Sequence, residues 1–175
     1  MHDTEEDCEE SFDKEIKTGS AGLNHINVLK IMGAGRDMFT HEGQELGDRF
    51  FVVTELAPNG ELFDLVSEAD SLNGSKLKYC KSLFSQIAEG VKHLHDKGIA
   101  HRDLKLENCF LDKACNVKVA DFGLMKIFGG PTGEALKTKL GTLNYMAPEI
   151  HAGNTYTESV DIFAMGVMLF MMLTC

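Results

Sequence analysis

Two short stretches of this chain hold residue types that could do chemistry together. His101-Arg102-Asp103-Leu104-Lys105-Leu106-Glu107-Asn108 places two carboxylates, two cationic side chains and an amide within one octapeptide, and Asp121-Phe122-Gly123 follows after a short interval. Transfer of a phosphoryl group asks a protein mainly for positioning and for neutralisation of charge. Asp103 suits a carboxylate that orients an acceptor hydroxyl and takes its proton. Asp121, with the amide oxygen of Asn108 beside it, suits a magnesium ion that bridges phosphates. Lys105, two positions beyond Asp103, suits a cation that offsets charge on the group in transit. A lone Asp on a loop is ordinarily a solvated surface charge; an octapeptide and a triplet at this separation are not explained that way.

Such side chains act only when regular elements aim them. Upstream, Cys80, Leu83, Phe84, Ile87, Val91 and Leu94 recur at three- and four-residue steps, so the spacing predicts a helix over Lys76–Lys97 with one apolar face. Gly98 stands where a helix C-terminus is commonly closed. Downstream, Cys109–Leu111 and Val117–Val119 read as short strands around the polar turn Asp112–Asn116, and Thr157–Asp161 opens an apolar helix that runs to the end of the chain. Nearer the start, Phe50–Leu56 is a β-branched and aromatic run that predicts a strand, broken by Pro58-Asn59-Gly60, with a short helix over Glu61–Ser67. Ile26–Ile31 reads as a further short strand and the polar, Gly-containing stretch Arg36–Gly47 as a loop. The sum is one α+β unit, rich in helix, with small β-ribbons; a doubly wound sheet would need more strands.

The chain has 175 residues, 43% of them hydrophobic and 25% charged, which is enough for a single packed core. Its net charge of -10 is concentrated at the start, where eight acids (Asp3, Glu5, Glu6, Asp7, Glu9, Glu10, Asp13, Glu15) face Lys14 alone. Residues 1–20 are therefore expected to form an acidic, disordered tail and residues 21–175 the folded part. The mildly acidic remainder argues against nucleic acid as a partner. Five cysteines without a C-x-x-C pair point to reduced thiols in an intracellular protein, cytoplasmic with the nucleus left open. The longest apolar run, Ile162–Leu173, is too short to span a bilayer, so no membrane is expected as a partner.

Taken together, the HRDLKxxN octapeptide, Asp121-Phe122-Gly123 and Ala147-Pro148-Glu149 within Gly141–Glu149 make the sequence resemble the protein kinase family, over roughly Leu23–Leu173. Lys105 after His101–Leu104, and the G-T-x-x-Y-M-A-P-E run, resemble its serine/threonine branch, with a flavour of the calcium/calmodulin-dependent and AMP-activated group. The resemblance implies a partial kinase-like fold, ATP and Mg2+ as cofactors, protein substrates and an upstream activating kinase. It makes Thr54 the gatekeeper, Glu55 to Ala57 the hinge that meets adenine, Phe110 an apolar residue beneath adenine, and Glu61 a residue that meets ribose or a basic substrate side chain. Glu107 resembles a second position that attracts upstream arginines. Arg102 is the residue that would receive a phosphate in the activation segment Asp121–Glu149, Thr138 its usual site, and Thr142 a threonine that bonds the catalytic loop.

The family's G-x-G-x-x-G loop and its V-A-I-K-like strand find no match before Leu23; Glu15 would be the lysine's ion-pair partner, one residue out of the usual spacing. The final helix stops at Cys175, before the family's last helices. These residues alone are therefore expected to bind ATP weakly and to be poorly soluble. A non-catalytic kinase-like scaffold and a magnesium-dependent phosphate hydrolase are the competing readings; the intact HRD and DFG motifs weigh against the first, and the intact A-P-E motif and Lys105 against the second.

Overall fold

The computed structural model describes residues 23–68, 76–128, 136 and 140–174. The acidic tail, Glu15 and Thr138 lie outside the described residues, and all structural statements concern the described ones.

The chain enters through a tight turn in which the Val28 N–H donates to His25 O at 3.1 Å. It then forms a long antiparallel hairpin of β1 (Ile31–His41) and β2 (Gln44–Thr54). Glu42 and Gly43 close it with φ of 51° and 79°, the left-handed pair that matches strand twist in a two-residue loop. The hairpin corrects two expectations. Residues 36–47 are not a loop: all but the closing pair Glu42-Gly43 lie in the strands, with Arg36 opposite Phe50 and Asp37 opposite Arg49. Ile26–Ile31 is not a strand: it contributes only Val28, in one parallel bridge to Val119, and Ile31 belongs to the hairpin. Glycines and charges hid the strand because its pairing rests on backbone hydrogen bonds and not on an apolar face. At Gly35 a Cβ would stand 2.7 Å from the tip of the exposed Phe51 ring, so the ring would have to turn aside.

The strand expected at Phe50–Leu56 is present but begins earlier, at Gln44, and ends at Thr54; the other predicted elements hold within a residue or two. α1 (Leu62–Ser67) buries Leu62 and Val66. α2 (Lys76–Asp96) buries Cys80, Ile87, Val91 and Leu94, with Leu83 and Phe84 partly covered. Gly98 closes it with φ of 71°, its N–H donating to His95 O at 2.8 Å. Two ribbons follow: β3 (Ile99–Ala100) pairs with β6 (Lys126–Ile127), and β4 (Cys109–Leu111) pairs with β5 (Val117–Val119). α3 (Pro148–His151) begins with its proline in the first turn, where the absent N–H costs no hydrogen bond. α4 (Ser159–Thr174) is apolar and buries Val160, Ala164, Met165, Met168 and Met172.

The core lies where α2, α4 and the β4–β5 ribbon meet, and α1 closes it from the side. A second cluster of Ala100, Leu136, Met146, Ala147, Ile150, Tyr156 and Val160 sits under α3. α2 approaches the entry turn most closely at Gly90, where a Cβ would stand 2.5 Å from Asn27 O and 3.1 Å from Val119 Cγ2. Backbone cannot yield as a side-chain tip can, so Gly90→Ala is expected to lower stability by about 1–3 kcal/mol in a denaturant titration. Gly33→Ala, which meets nothing within 4 Å, serves as the control and shifts it by less than about 1 kcal/mol.

Candidate active site

The octapeptide forms the crossing between β3 and β4, and a buried carboxylate holds it in place. Asp161, at the first turn of α4, is 1% exposed and accepts from His101 N–H, Arg102 N–H and His95 Nε2–H, each at 2.8 Å. Arg102 sits at φ 72°, a conformation that strains a side-chain-bearing residue. The two N–H bonds to Asp161 compensate that strain. His101 Nε2 donates to Ala120 O at 2.9 Å and its Nδ1 accepts from Asp103 N–H at 3.3 Å, which defines the neutral ring's tautomer.

Asp103 collects donors on both oxygens. Oδ1 accepts from Thr142 N–H at 2.9 Å and from Thr142 Oγ1–H at 2.8 Å. Oδ2 accepts from Lys105 Nζ at 3.0 Å and from Asn108 Nδ2 at 3.1 Å. Lys105 Nζ also reaches Thr142 Oγ1 at 3.0 Å, and Asn108 Nδ2 reaches Asp103 O at 2.8 Å. Burial pushes the Asp103 carboxyl up, but the hydrogen bonds from Thr142 and the hydrogen bond and charge of Lys105 outweigh it and hold the group below the ordinary carboxylate range. Gly141, at φ 118°, permits this approach: a Cβ there would stand 2.7 Å from Arg102 O.

Backbone ties the residue before Asp121 to the octapeptide. Ala120 N–H donates to Asn108 O at 2.9 Å, so the residue before Asp121 is tied to both His101 and Asn108. Asp121 itself is exposed at φ 65°, and the nearest donor to its Oδ1 is Gly123 N–H at 3.4 Å. Phe122 beside it is buried, its ring centroid 6.5 Å from that of His101. Asn108 spends its Nδ2 on Asp103, which leaves its Oδ1 for a cation. No group of three or more His, Cys, Asp or Glu that could hold a metal occurs among the described residues. Two oxygen donors fit a magnesium ion held largely by phosphates and water, not a metal caged by protein.

Of the upstream candidates, Glu55 and Glu61 meet the β4–β5 ribbon. Glu61 forms a bridge with Phe110, which pairs with Lys118. Thr54 ends β2 opposite Ile31, exposed, and Ala57 is half-buried. Glu55 turns its carboxylate toward the body of the protein, where Oε1 accepts from Lys30 N–H and from Lys118 Nζ, each at 2.9 Å. Tyr145 Oη lies 3.2 Å from Glu107 Oε2 and 3.2 Å from Met171 Sδ. Burial, with the negative charge of Glu107, raises the phenol to about 12. Asp161 and Lys118 escaped the sequence reading; an acid inside an otherwise apolar helix was the available signal for the first.

The amino-acid sequence matches a known family. The profile of the protein kinase domain matches residues 1–175. The chain belongs to the protein kinase family. The SNF1-related protein kinase catalytic subunit alpha KIN12 of Arabidopsis thaliana is 38% identical over 148 residues, which covers 85% of this chain and 29% of that protein. A probable myosin light chain kinase of Dictyostelium discoideum is 39% identical, over 86% of this chain and 40% of its own length. NUAK family SNF1-like kinase 1 of Homo sapiens is 37% identical, over 90% of this chain and 22% of its own length. The chain thus spans less than half the length of these relatives, and its α+β architecture is that of part of a kinase domain.

The depressed Asp103 carboxyl yields a test. A group lowered in the folded state lends stability above its unfolded value, and that stability is lost as pH falls through the folded one. Thr142→Val removes one hydroxyl donor and keeps the backbone donor. Asp103 in that variant is expected to titrate higher, toward the ordinary carboxylate value, in a carboxyl-carbon NMR titration.

Proposed function

We propose that this chain is the catalytic portion of a protein serine/threonine kinase that moves the γ-phosphoryl group of ATP to a protein hydroxyl. The observation that carries the reading is the Asp103 cluster, in which an ammonium, an amide and a threonine hydroxyl all lie within hydrogen-bond reach of one carboxylate. Asp103 accepts the proton of the acceptor hydroxyl as its oxygen bonds to phosphorus, and the bond between phosphorus and the ADP oxygen breaks. Lys105 offsets charge on the phosphoryl group and keeps Asp103 ionised. Asp121 and Asn108 would hold magnesium, which would supply charge neutralisation on the phosphates. Glu55 and Ala57 offer backbone groups to adenine, Thr54 stands at the back of that pocket, Phe110 packs beneath the base and Glu61 meets either the ribose or a basic substrate side chain. The names of the relatives, among them a serine/threonine-protein kinase of Schizosaccharomyces pombe, support serine and threonine as acceptors. Glu61 and Glu107 favour substrates with basic residues before the acceptor.

Arg102 extends the reading to regulation. It is buried, and its Nε is shut off from solvent with no hydrogen-bond acceptor, an arrangement that a native protein seldom leaves unexplained. A phosphate on Thr138, placed there by an upstream kinase, gives this guanidinium a dianionic partner.

Asp103→Asn, in a protein that carries residues 1–175, is expected to lower transfer of labelled phosphate from ATP to a serine peptide by about 10²–10⁴-fold with little change in nucleotide affinity. Turnover that survives the substitution intact contradicts the assignment. Thr138→Ala is expected to abolish the gain in activity that follows treatment with an activating kinase; an undiminished gain places the switch elsewhere.

A further inference from the structure

The entry turn is fastened to α2 by a pair of imidazoles that phosphoryl transfer does not use. His25 and His93 are stacked with ring centroids 4.8 Å apart and planes 22° from parallel. His25 Nδ1 accepts the backbone N–H of Asn27 at 3.1 Å, so this nitrogen carries a lone pair and no proton. His93 Nε2 is sealed from solvent and finds no hydrogen-bond partner. The turn held here also ties α2 to β5. Asn27 Nδ2 donates to Gln86 Oε1 at 3.2 Å and to Val117 O at 2.9 Å, Val119 N–H donates to Asn27 O at 2.9 Å, and Leu29 N–H donates to Val119 O at 2.8 Å. Two residues further on, the same strand of chain becomes β1.

We infer that the His25–His93 stack is an acid-sensitive fastening, intact when both rings are neutral and released on protonation, that controls how firmly the β1–β2 hairpin is tied to the helical body. A proton on His25 Nδ1 removes the acceptor of the Asn27 N–H and leaves two donors face to face. A proton on His93 requires an N–H at Nε2, where nothing accepts it, and sets a cation against the neighbouring ring. Among the described residues, the titratable groups that act on His93 are His25 from the turn and Asp96 and Lys97 from the last turn of α2 and the residue after it. Burial is the largest influence and lowers the His93 pKa; His25 and Lys97 lower it further, and Asp96 opposes them. A histidine lowered in the folded state contributes stability that is present above its unfolded value, near pH 6.5, and that fades as the medium becomes more acid. The mildly acid range is thus where the fastening loosens. The assignment is independent of the proposed catalytic roles, since neither ring touches the Asp103 cluster.

Amide hydrogen exchange of the full chain, corrected for the intrinsic effect of pH, tests it directly. Between pH 7.5 and 5.5, exchange at Asn27, Leu29 and Val119 is expected to rise about fivefold relative to amides in the middle of α2, the scale of one lost backbone hydrogen bond. His93→Phe keeps a ring in the stack that cannot be protonated, and His25→Asn supplies an acceptor two residues before Asn27 without a titrating ring. The variant that carries both substitutions is expected to keep the protection seen at pH 7.5 and to lose its dependence on pH, and each single variant to show a smaller dependence than the wild type. Exchange in the wild-type chain that is flat across this range, or a dependence that persists undiminished in the doubly substituted chain, overturns the inference. Should a variant fail to fold, NMR titration of the wild-type imidazoles decides: His93 titrating at or above the ordinary histidine value also overturns it.

Discussion

Everything at the candidate site hangs from one buried carboxylate. Asp161 sits in the first turn of a helix that is otherwise almost wholly apolar, and burial of an ion there is tolerable only because three donors surround it. Two of those donors are consecutive backbone N–H groups of the octapeptide, so the anion sets the path of the chain and not merely the place of one side chain. With His101 and Arg102 fixed, His101 can reach Ala120 O, Ala120 can reach Asn108 O, and the two loops close on each other. The strained Arg102 backbone is the cost of the sharp exit that aims Asp103 outward. The third donor, His95, ties the same carboxylate to the end of α2. Helix, loop and helix are therefore joined at one atom pair in the interior.

The parts of this architecture that sequence alone disclosed are those whose causes are local. The apolar face of α2 repeats within a single helix. β4 and β5 are bounded by a turn in which Asp112 Oδ1 caps the N–H groups of Ala114 and Asn116, chemistry written in five consecutive residues. The identities of Asp103, Lys105, Asn108, Asp121 and Thr142 were also visible, because their motifs occupy short stretches; the structure brings the first three and Thr142 into mutual contact and ties the residue before Asp121 to the same loops.

What stayed hidden depends on partners far along the chain. Asp161 meets Arg102 across 59 positions and Lys118 meets Glu55 across 63, and no periodicity or spacing encodes such a meeting. The hairpin was hidden for a different reason. Its strands carry glycines and charges, and Phe51 lies over Gly35 where alternation would have asked for two side chains. Strand formation there follows from backbone pairing and a tight left-handed turn, a signal weaker in the sequence than burial.

The crowding around Asp103 has a bearing on water as well as on an acceptor. A carboxylate offers about four lone-pair sites, and here each oxygen already serves two donors. A newcomer must displace one of them, and Thr142 Oγ1–H, the only donor of the four that is a neutral hydroxyl, is the easiest to exchange. Another hydroxyl anchored by the rest of a bound polypeptide can win that exchange, whereas a lone water molecule has no such support. On the proposed mechanism the threonine is then a placeholder that keeps the base idle until a proper guest arrives, and the nucleotide is shielded from wasteful hydrolysis in the interval.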